Sequence, residues 1–316
     1  MPAVVETMAY AGKIPWHGLG TQVDSSISPE EMRKKAGLDW EVQKHPFLNP
    51  ITGEVSQDWF TLVRDSDGKE FGPAGKSYVP VQNHEALDFF ERFTSSGKMT
   101  LETAGALEGG RRVFVLAKTT SSFVLGKEDK VDSYLLCYHP HIWGQSLKIM
   151  WTPIRVVCMN TLVMALGQEN AATSFRMPHV RAFDADMQMK AEQALGLADA
   201  QLEQFRSSSE ILSSKEYTDQ AVWKYFATLF QPSIVNEKKI LPDMFNRTME
   251  QVNLNLVKQP GAEYNKNTWW QALNAVTYYA DHQAGRDRDK AMTSAWLGKA
   301  ATIKRRALDS ALKIAA

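Results

Sequence analysis

Cysteine is scarce: Cys137 and Cys158 are the only two in a chain of 316 residues. That excludes a disulfide-stapled scaffold and a four-cysteine zinc site, and it suits a reducing compartment. Long apolar runs are missing as well. None approaches the roughly 20 residues that span a bilayer, and the first residues show no basic-then-apolar pattern of a secretory signal. The expectation is a protein without a membrane partner. An excess of either charge is also absent, with 36 basic against 36 acidic residues. No global field therefore draws the chain to a polyanion, and any such site must come from local placement of cations. Internal repeats and low-complexity tracts are lacking. So are a Walker lysine motif, a nucleophile elbow and H-E-x-x-H. What remains is a globular composition, 44% hydrophobic, long enough to bury a core as one large domain or two ordinary ones.

The chain has readable order. Ser28-Pro29-Glu30-Glu31 predicts a helix start, with a serine cap, proline in the first turn and carboxylates at the positive end of the dipole. Short strands are expected around 40–46 and 58–65, the second closed by the turn Asp65-Ser66-Asp67-Gly68. Pro80 holds Val79 extended. Asn83 then caps a helix carrying Leu87, Phe90 and Phe93, which stops near Gly97. Glu108-Gly109-Gly110 supplies positive-φ turn positions, so 100–107 and 111–118 form a hairpin. A third strand runs from Val131 to Tyr138. A fourth has Leu147, Ile149 and Trp151 on one face, and Pro153 suggests an edge or a bend. Asn160 is expected to cap a helix through Leu166, closed at Gly167.

From Asp184 onward helix signals dominate. Residues 184–213 form a helical stretch, either continuous or broken at the polar Ser207-Ser208-Ser209. Further helices are expected over 221–230 and 241–257, after the Thr268 cap, and from about Asp289 to Lys313. The fold class is α+β: an N-terminal antiparallel sheet with packed helices over 1–170, then a mostly helical part over 171–316.

Candidate chemistry follows from charge placement. From Gly285 to Ala316, eight basic residues stand against three acidic ones, an asymmetry that attracts polyanions. Lys304, Arg305 and Arg306 are consecutive. With Ile303 and Ala307 marking the buried side, all three are expected to point outward. On the sheet, Arg111 and Arg112 open an apolar strand, and Lys148 and Arg155 lie on or near a later one. Cations beside aromatics on a sheet can hold phosphates and stack bases. The competing reading is an ordinary sheet with solvated strand ends and a salt-bridged Arg155.

Other constellations favour structural roles. Cys137, His139 and His141 alternate, and Cys158 offers a fourth donor for zinc. The C-x-H-x-H spacing matches no zinc signature, however, and Pro140 interrupts the alternation. Buried cysteines and loop histidines are expected, and no metal is assigned. Trp16-His17-Gly18-Leu19-Gly20 lacks the context of a dinucleotide site and reads as a packed arm anchored by Trp16. Asp281-His282 suits a helix-end role and lacks the third group that an acid–base pair needs. In the Thr268 helix, Trp269, Leu273 and Val276 make a core stripe. Trp270, Asn274 and Tyr278 lie opposite, facing a groove or a subunit contact or, on the plainer reading, a second neighbouring helix. No catalytic residue and no cofactor are assigned.

Five blocks taken together resemble one family. They are Ile14-Pro15-Trp16-His17-Gly18-Leu19-Gly20, Tyr78-Val79-Pro80-Val81-Gln82-Asn83, Gly109-Gly110-Arg111-Arg112-Val113-Phe114-Val115, Thr152-Pro153-Ile154-Arg155-Val156-Val157-Cys158-Met159-Asn160-Thr161-Leu162 and Thr268-Trp269-Trp270-Gln271-Ala272-Leu273-Asn274-Ala275-Val276-Thr277-Tyr278. The family is the phage/plasmid-like proteins, also described as domain of unknown function 932. The resemblance covers nearly the whole chain, and the Arg155–Leu162 block is its most specific part. Trp269-Trp270 is doubled where members often carry one tryptophan. Membership implies a phage, prophage or plasmid origin and expression in a host bacterial cytoplasm; it implies no assigned reaction.

The strand–strand–strand–helix order over 100–167 is also similar to the core of Rad-fifty-two-like single-strand annealing proteins. By that analogy the expected partner is single-stranded DNA, in recombination or replication, bound by a homo-oligomer through Arg111, Arg112, Lys148, Arg155, Lys304, Arg305 and Arg306. Two alternatives stand beside it: an oligomeric assembly protein that binds no nucleic acid, and an enzyme whose site carries no recognised motif.

Overall fold

The computed structural model describes residues 5–12, 20–155, 160–161, 174–195, 198–231, 242–285 and 294–316. Most of the Ile14–Gly20 block, with Trp16, lies outside them. So do Cys158, the body of the helix expected after Asn160, and the start of the last expected helix. In chain order come β1 (Val5–Ala11), β2 (Thr21–Val23), α1 (Pro29–Lys35), β3 (Val42–Leu48), β4 (Val55–Arg64), β5 (Glu70–Gly75), α2 (Asn83–Asp88) and α3 (Glu91–Ser95). There follow β6 (Met99–Leu107), β7 (Arg112–Leu125), β8 (Asp129–Pro140), β9 (Ser146–Arg155), β10 (Asn160–Thr161) and β11 (Ser174–Pro178). The chain continues through α4 (Ala185–Leu195), α5 (Ala198–Ser214), α6 (Asp219–Phe230), α7 (Pro242–Lys258), α8 (Trp269–Tyr278) and α9 (Lys299–Ala315). The fold is α+β, with strands in the N-terminal half and most helices in the C-terminal part.

Two compact units are present. One comprises Met1–Thr120, Tyr134–Trp151 and Glu169–Ala198; the other Ser121–Ser133, Thr152–Gln168 and Asp199–Ala316.

In the first unit the hairpin forms as the glycine-rich turn predicts. Glu108, Gly109 and Gly110 all have positive φ, at 52°, 67° and 91°, and β6 pairs antiparallel with β7 from Met99↔Thr119 to Leu107↔Arg112. β1 pairs antiparallel with β6 and parallel with β2. β11 pairs antiparallel with β9, placing Phe175 opposite Ile149 and Met177 opposite Leu147. A separate three-stranded sheet has the order β3-β4-β5. Ser28 closes a capping box with Glu31 at the start of α1, a motif whose cap alone is worth roughly 0.5–2 kcal/mol. The core gathers Met32, Leu38, Leu62, Phe89 and Phe90 with Val113, Val115, Leu147 and Ile149. The odd positions of β7 thus face inward, as the two-residue period requires.

In the second unit α8 is the central element. Thr268 caps it by accepting from the Gln271 amide, and every residue from Trp269 to Thr277 is buried. Trp270 and Asn274 are therefore packed on all sides, which agrees with the reading of a neighbouring element on that row and leaves no groove there. α8 runs on into a π-helical turn over Tyr279–Gln283. The Tyr225 hydroxyl donates to the Ala307 carbonyl at 3.0 Å, tying α6 to α9.

One local expectation is corrected and one open point is closed. Asn160 and Thr161 do not begin a helix; they form β10, antiparallel to Arg155 and Ile154 of β9. A sheet edge offers unpaired backbone groups, and satisfying them outweighs a local capping preference. The triple serine does not break its helix. Ser207, Ser208 and Ser209 lie inside α5, and each hydroxyl donates to the carbonyl four residues earlier. That back-bonding keeps serine compatible with a helix interior.

Candidate nucleic-acid interface

The seven cations singled out in the sequence separate sharply in the structure. Arg155 is buried in the second unit against Asp129. Its Nε donates to Asp129 Oδ1 at 2.6 Å and its Nη2 to Oδ2 at 2.8 Å. Its Nη1 and Nη2 also donate to the Pro260 and Gly261 carbonyls. Asp129 Oδ2 also accepts from Asn265 Nδ2 and Trp270 Nε1, at 2.9 and 2.8 Å. Arg155 is thus an interior ion-pair residue, as the salt-bridge reading held.

Lys304 overturns the expectation that three consecutive cations fan outward. It is 1% exposed, and its Nζ donates to Asp281 Oδ1 at 2.6 Å. The buried stripe of α9 runs Ala300, Lys304, Ala307, Leu308, Ala311 and Ala315. Lys304 falls four residues after one alanine and seven before another, so the helical period places it inside. Burial lowers its pKa, against the opposing pull of Asp281.

In the first unit, Arg112 is held by its neighbours: Nε donates to the Tyr138 hydroxyl at 2.7 Å, and the guanidinium pairs with Glu108. Arg111 is half-buried, and its Nε has no hydrogen-bond partner among the described residues. Lys148 is half-buried and sits directly across from Arg176 of β11.

Arg305 and Arg306 are exposed, and they belong to a longer row. The solvent face of α9 carries Lys299, Thr302, Arg305, Arg306, Asp309 and Lys313, four cations and one carboxylate. None of the four cations pairs with a carboxylate among the described residues. Arg306 Nη2 donates to the Thr228 carbonyl of α6 at 3.4 Å. α6 buries Val222, Tyr225, Phe226 and Leu229, yet leaves Trp223 59% exposed beside the exposed Lys224. Reading the sequence overlooked Trp223. A helical wheel drawn from the Thr218 cap would have found it, because those four apolar residues share a face that excludes 223 and 224.

His139 of β8 and His141, just beyond its end, form a different site in the first unit. Both are fully buried, with ring centroids 4.3 Å apart; His139 lies on the strand, and His141 lies in the loop after it, where loop histidines are expected. His179 lies 5.5 Å from His139 and stacks on Tyr78 at 5.0 Å. His139 Nε2 meets the Val81 carbonyl at 3.0 Å, so that nitrogen carries the hydrogen. His141 Nε2 meets Asn83 Oδ1 at 3.0 Å. Asn83 Nδ2 already donates to the Leu38 and Trp40 carbonyls, which fixes its oxygen as the acceptor. Both histidines are therefore neutral Nε2–H tautomers with Nδ1 lone pairs that meet no donor among the described residues. Burial pushes His139 well below its ordinary pKa, His141 to about 3 and His179 to about 4. Among the described residues, no three His, Cys, Asp or Glu side chains are arranged to hold a metal ion. Cys137 is buried, and burial pushes its thiol to about 12.

The arrangement defines an α+β protein in which Arg155 and Lys304 are paired inside and α9 carries an exposed row of four cations. Its sequence matches the family model described as Domain of unknown function (DUF932) over residues 70–302. The chain belongs to that family. No curated protein and no solved structure matches it. Among the described residues, no helix is long and apolar enough to cross a membrane.

Proposed function

We propose that this is a phage or plasmid protein of the host bacterial cytoplasm that binds single-stranded DNA during recombination or replication, without catalysing a reaction. The observation that carries the reading is the exposed row Lys299, Arg305, Arg306 and Lys313 on α9, with Asp309 as its one carboxylate. In a chain of zero net charge, such a row is a local attraction for phosphates. Arg111, Arg112 and Lys148 are the sheet's candidates for further contacts. Arg155 and Lys304 take no part, because each is bound to its own buried carboxylate.

The test is binding of a labelled oligonucleotide at 50 and 200 mM salt. Phosphate contacts on a single strand release counterions with a slope of about 0.7 per contact, so affinity should fall steeply with salt. Arg305→Glu together with Arg306→Glu should weaken binding and flatten that slope by about 1.4. Lack of binding at low salt, or an unchanged slope in the double variant, overturns the reading.

A second reading, a homo-oligomeric assembly protein, has one observation in its favour. The β3–β4 hairpin exposes Phe47, Leu48, Ile51 and Val55, at 40%, 63%, 92% and 51%, and clustered exposed apolar side chains mark contact surfaces. Light scattering on the same preparation, with and without oligonucleotide, separates the two. A multimer that ignores DNA favours assembly.

A further inference from the structure

We propose that Arg176 of β11, with Lys148 of β9 beside it, forms a subsite that holds one phosphate of a bound single strand. The inference rests on the nucleic-acid reading above and adds to it a contact on the sheet, through an arginine that no sequence motif marks.

Strand register puts the two cations on one surface. β11 pairs only with β9 among the described strands and so forms an edge of the sheet there. Leu147 and Ile149 of β9, and Phe175 and Met177 of β11, enter the core cluster of the first unit. The residues between them, Lys148 and Arg176, therefore share the opposite face. They stand directly across from one another, which sets their Cβ atoms about 5 Å apart. Ser146 and Met150 flank Lys148 on that face, and Ser174 and Pro178 flank Arg176.

The guanidinium is held, but not by a carboxylate. Arg176 Nε donates to Ser146 Oγ at 3.2 Å. Ser146 is buried and lies on the diagonal from Arg176, so this bond draws the guanidinium over β9 and away from the open edge. Arg176 is exposed, and its Nη1 and Nη2 have no hydrogen-bond or ion-pair partner among the described residues. Charges commonly guard a sheet edge by blocking the approach of another strand. Arg176 instead turns inward, on the same face as Lys148.

That placement suits a phosphate. The planar fork of an arginine matches two phosphate oxygens, and a lysine beside it adds a point charge. Like charges directly opposite on neighbouring strands repel. A phosphate seated between Lys148 and Arg176 turns that repulsion into two attractions.

The experiment uses the full chain, labelled oligo-dT and inorganic phosphate, at 50 and 200 mM salt. Arg176→Gln should weaken oligo-dT binding about tenfold at the lower salt, the effect of one charge-assisted bond. Arg176→Lys keeps the charge without the fork and should recover part of that loss. In the double variant Arg176→Gln with Lys148→Gln, the salt slope should flatten by about 0.7, the value for one phosphate held by both cations, and not by the roughly 1.4 of two phosphates. Thermal melting of Arg176→Gln checks the fold, which an exposed substitution should spare. Wild-type affinity and slope in both variants would remove the subsite and leave the α9 row, with its own test, standing. Flattening near 1.4 would overturn the shared phosphate. Saturable binding of inorganic phosphate that Arg176→Gln abolishes, with oligo-dT binding unchanged, would assign the cations to free phosphate and overturn the strand subsite. If wild type binds no oligo-dT at the lower salt, the subsite and the nucleic-acid reading fall together.

Discussion

The Asp129 carboxylate is the point where a single atom change should cost the second unit most. Asp129→Asn preserves the shape and removes the charge. Oδ2 accepts three hydrogen bonds, from Arg155, Asn265 and Trp270, whereas Oδ1 accepts one, from Arg155 Nε at 2.6 Å. The new amide would settle with its oxygen toward the three donors, turning its NH2 group against Arg155 Nε. That loses one charge-assisted bond and sets donor against donor. Arg155, 2% exposed, would keep its Nη2 bond to the amide oxygen and its bonds to the Pro260 and Gly261 carbonyls, but would lose the carboxylate charge. A guanidinium cannot shed its proton to escape. Leaving one partner of a buried ion pair uncompensated costs about 3–5 kcal/mol, a large share of a typical domain's stability. Urea unfolding followed by tryptophan fluorescence should show a lower midpoint at unchanged m-value. The double variant Asp129→Leu with Arg155→Met removes both charges together. It should recover most of the loss, since apolar replacements of buried pairs are often neutral. A loss under about 1 kcal/mol in Asp129→Asn, at unchanged m-value, would refute the claim that this network holds the unit together.

The other buried pair should behave differently, because lysine can neutralise. Asp281→Asn removes the charge that opposes the burial of Lys304, so the folded state should hold Lys304 neutral more readily than the unfolded chain, whose lysine titrates near 10.4. With a folded pKa below the unfolded one, stability is lost as pH falls and regained as it rises. The variant should therefore be clearly weaker than wild type at pH 7 and closer to it near pH 9.5; urea midpoints at the two values check this, and a pH-independent difference would contradict it. The three histidines of the first unit should make that unit acid-labile. Their folded pKa values are lowered, to about 3 for His141 and about 4 for His179, against about 6.5 unfolded. Their contribution is thus fully present above about pH 6.5 and fades as pH falls toward 4, by up to about 1.4 kcal/mol per pH unit for each ring. Melting curves from pH 7.5 to 5 should show Tm dropping through this window, and a flat profile would argue against a neutral buried cluster.

What the sequence alone determined is local and periodic. The Ser28 capping box, the Glu108–Gly110 turn, the alternation along β9 and the Thr268 cap each depend on residues within a few positions of one another, so their signals survive without a fold. The family is legible for the same reason, since it rests on contiguous blocks. Burial of charge depends on distant partners. Nothing near Arg155 announces Asp129, 26 residues earlier, and nothing near Asp129 announces Trp270, 141 residues later. Lys304, Arg305 and Arg306 are chemically alike and adjacent, yet one is interior and two face water. The tertiary structure decided this by packing one stripe of α9 and setting Asp281 beneath it. His139 and His141 met His179 by the same route, through strand register and packing. A cation or an imidazole enters the interior only where the fold brings up a counter-charge, a carbonyl or a matching ring to offset the loss of water. That match exists only once the chain has closed.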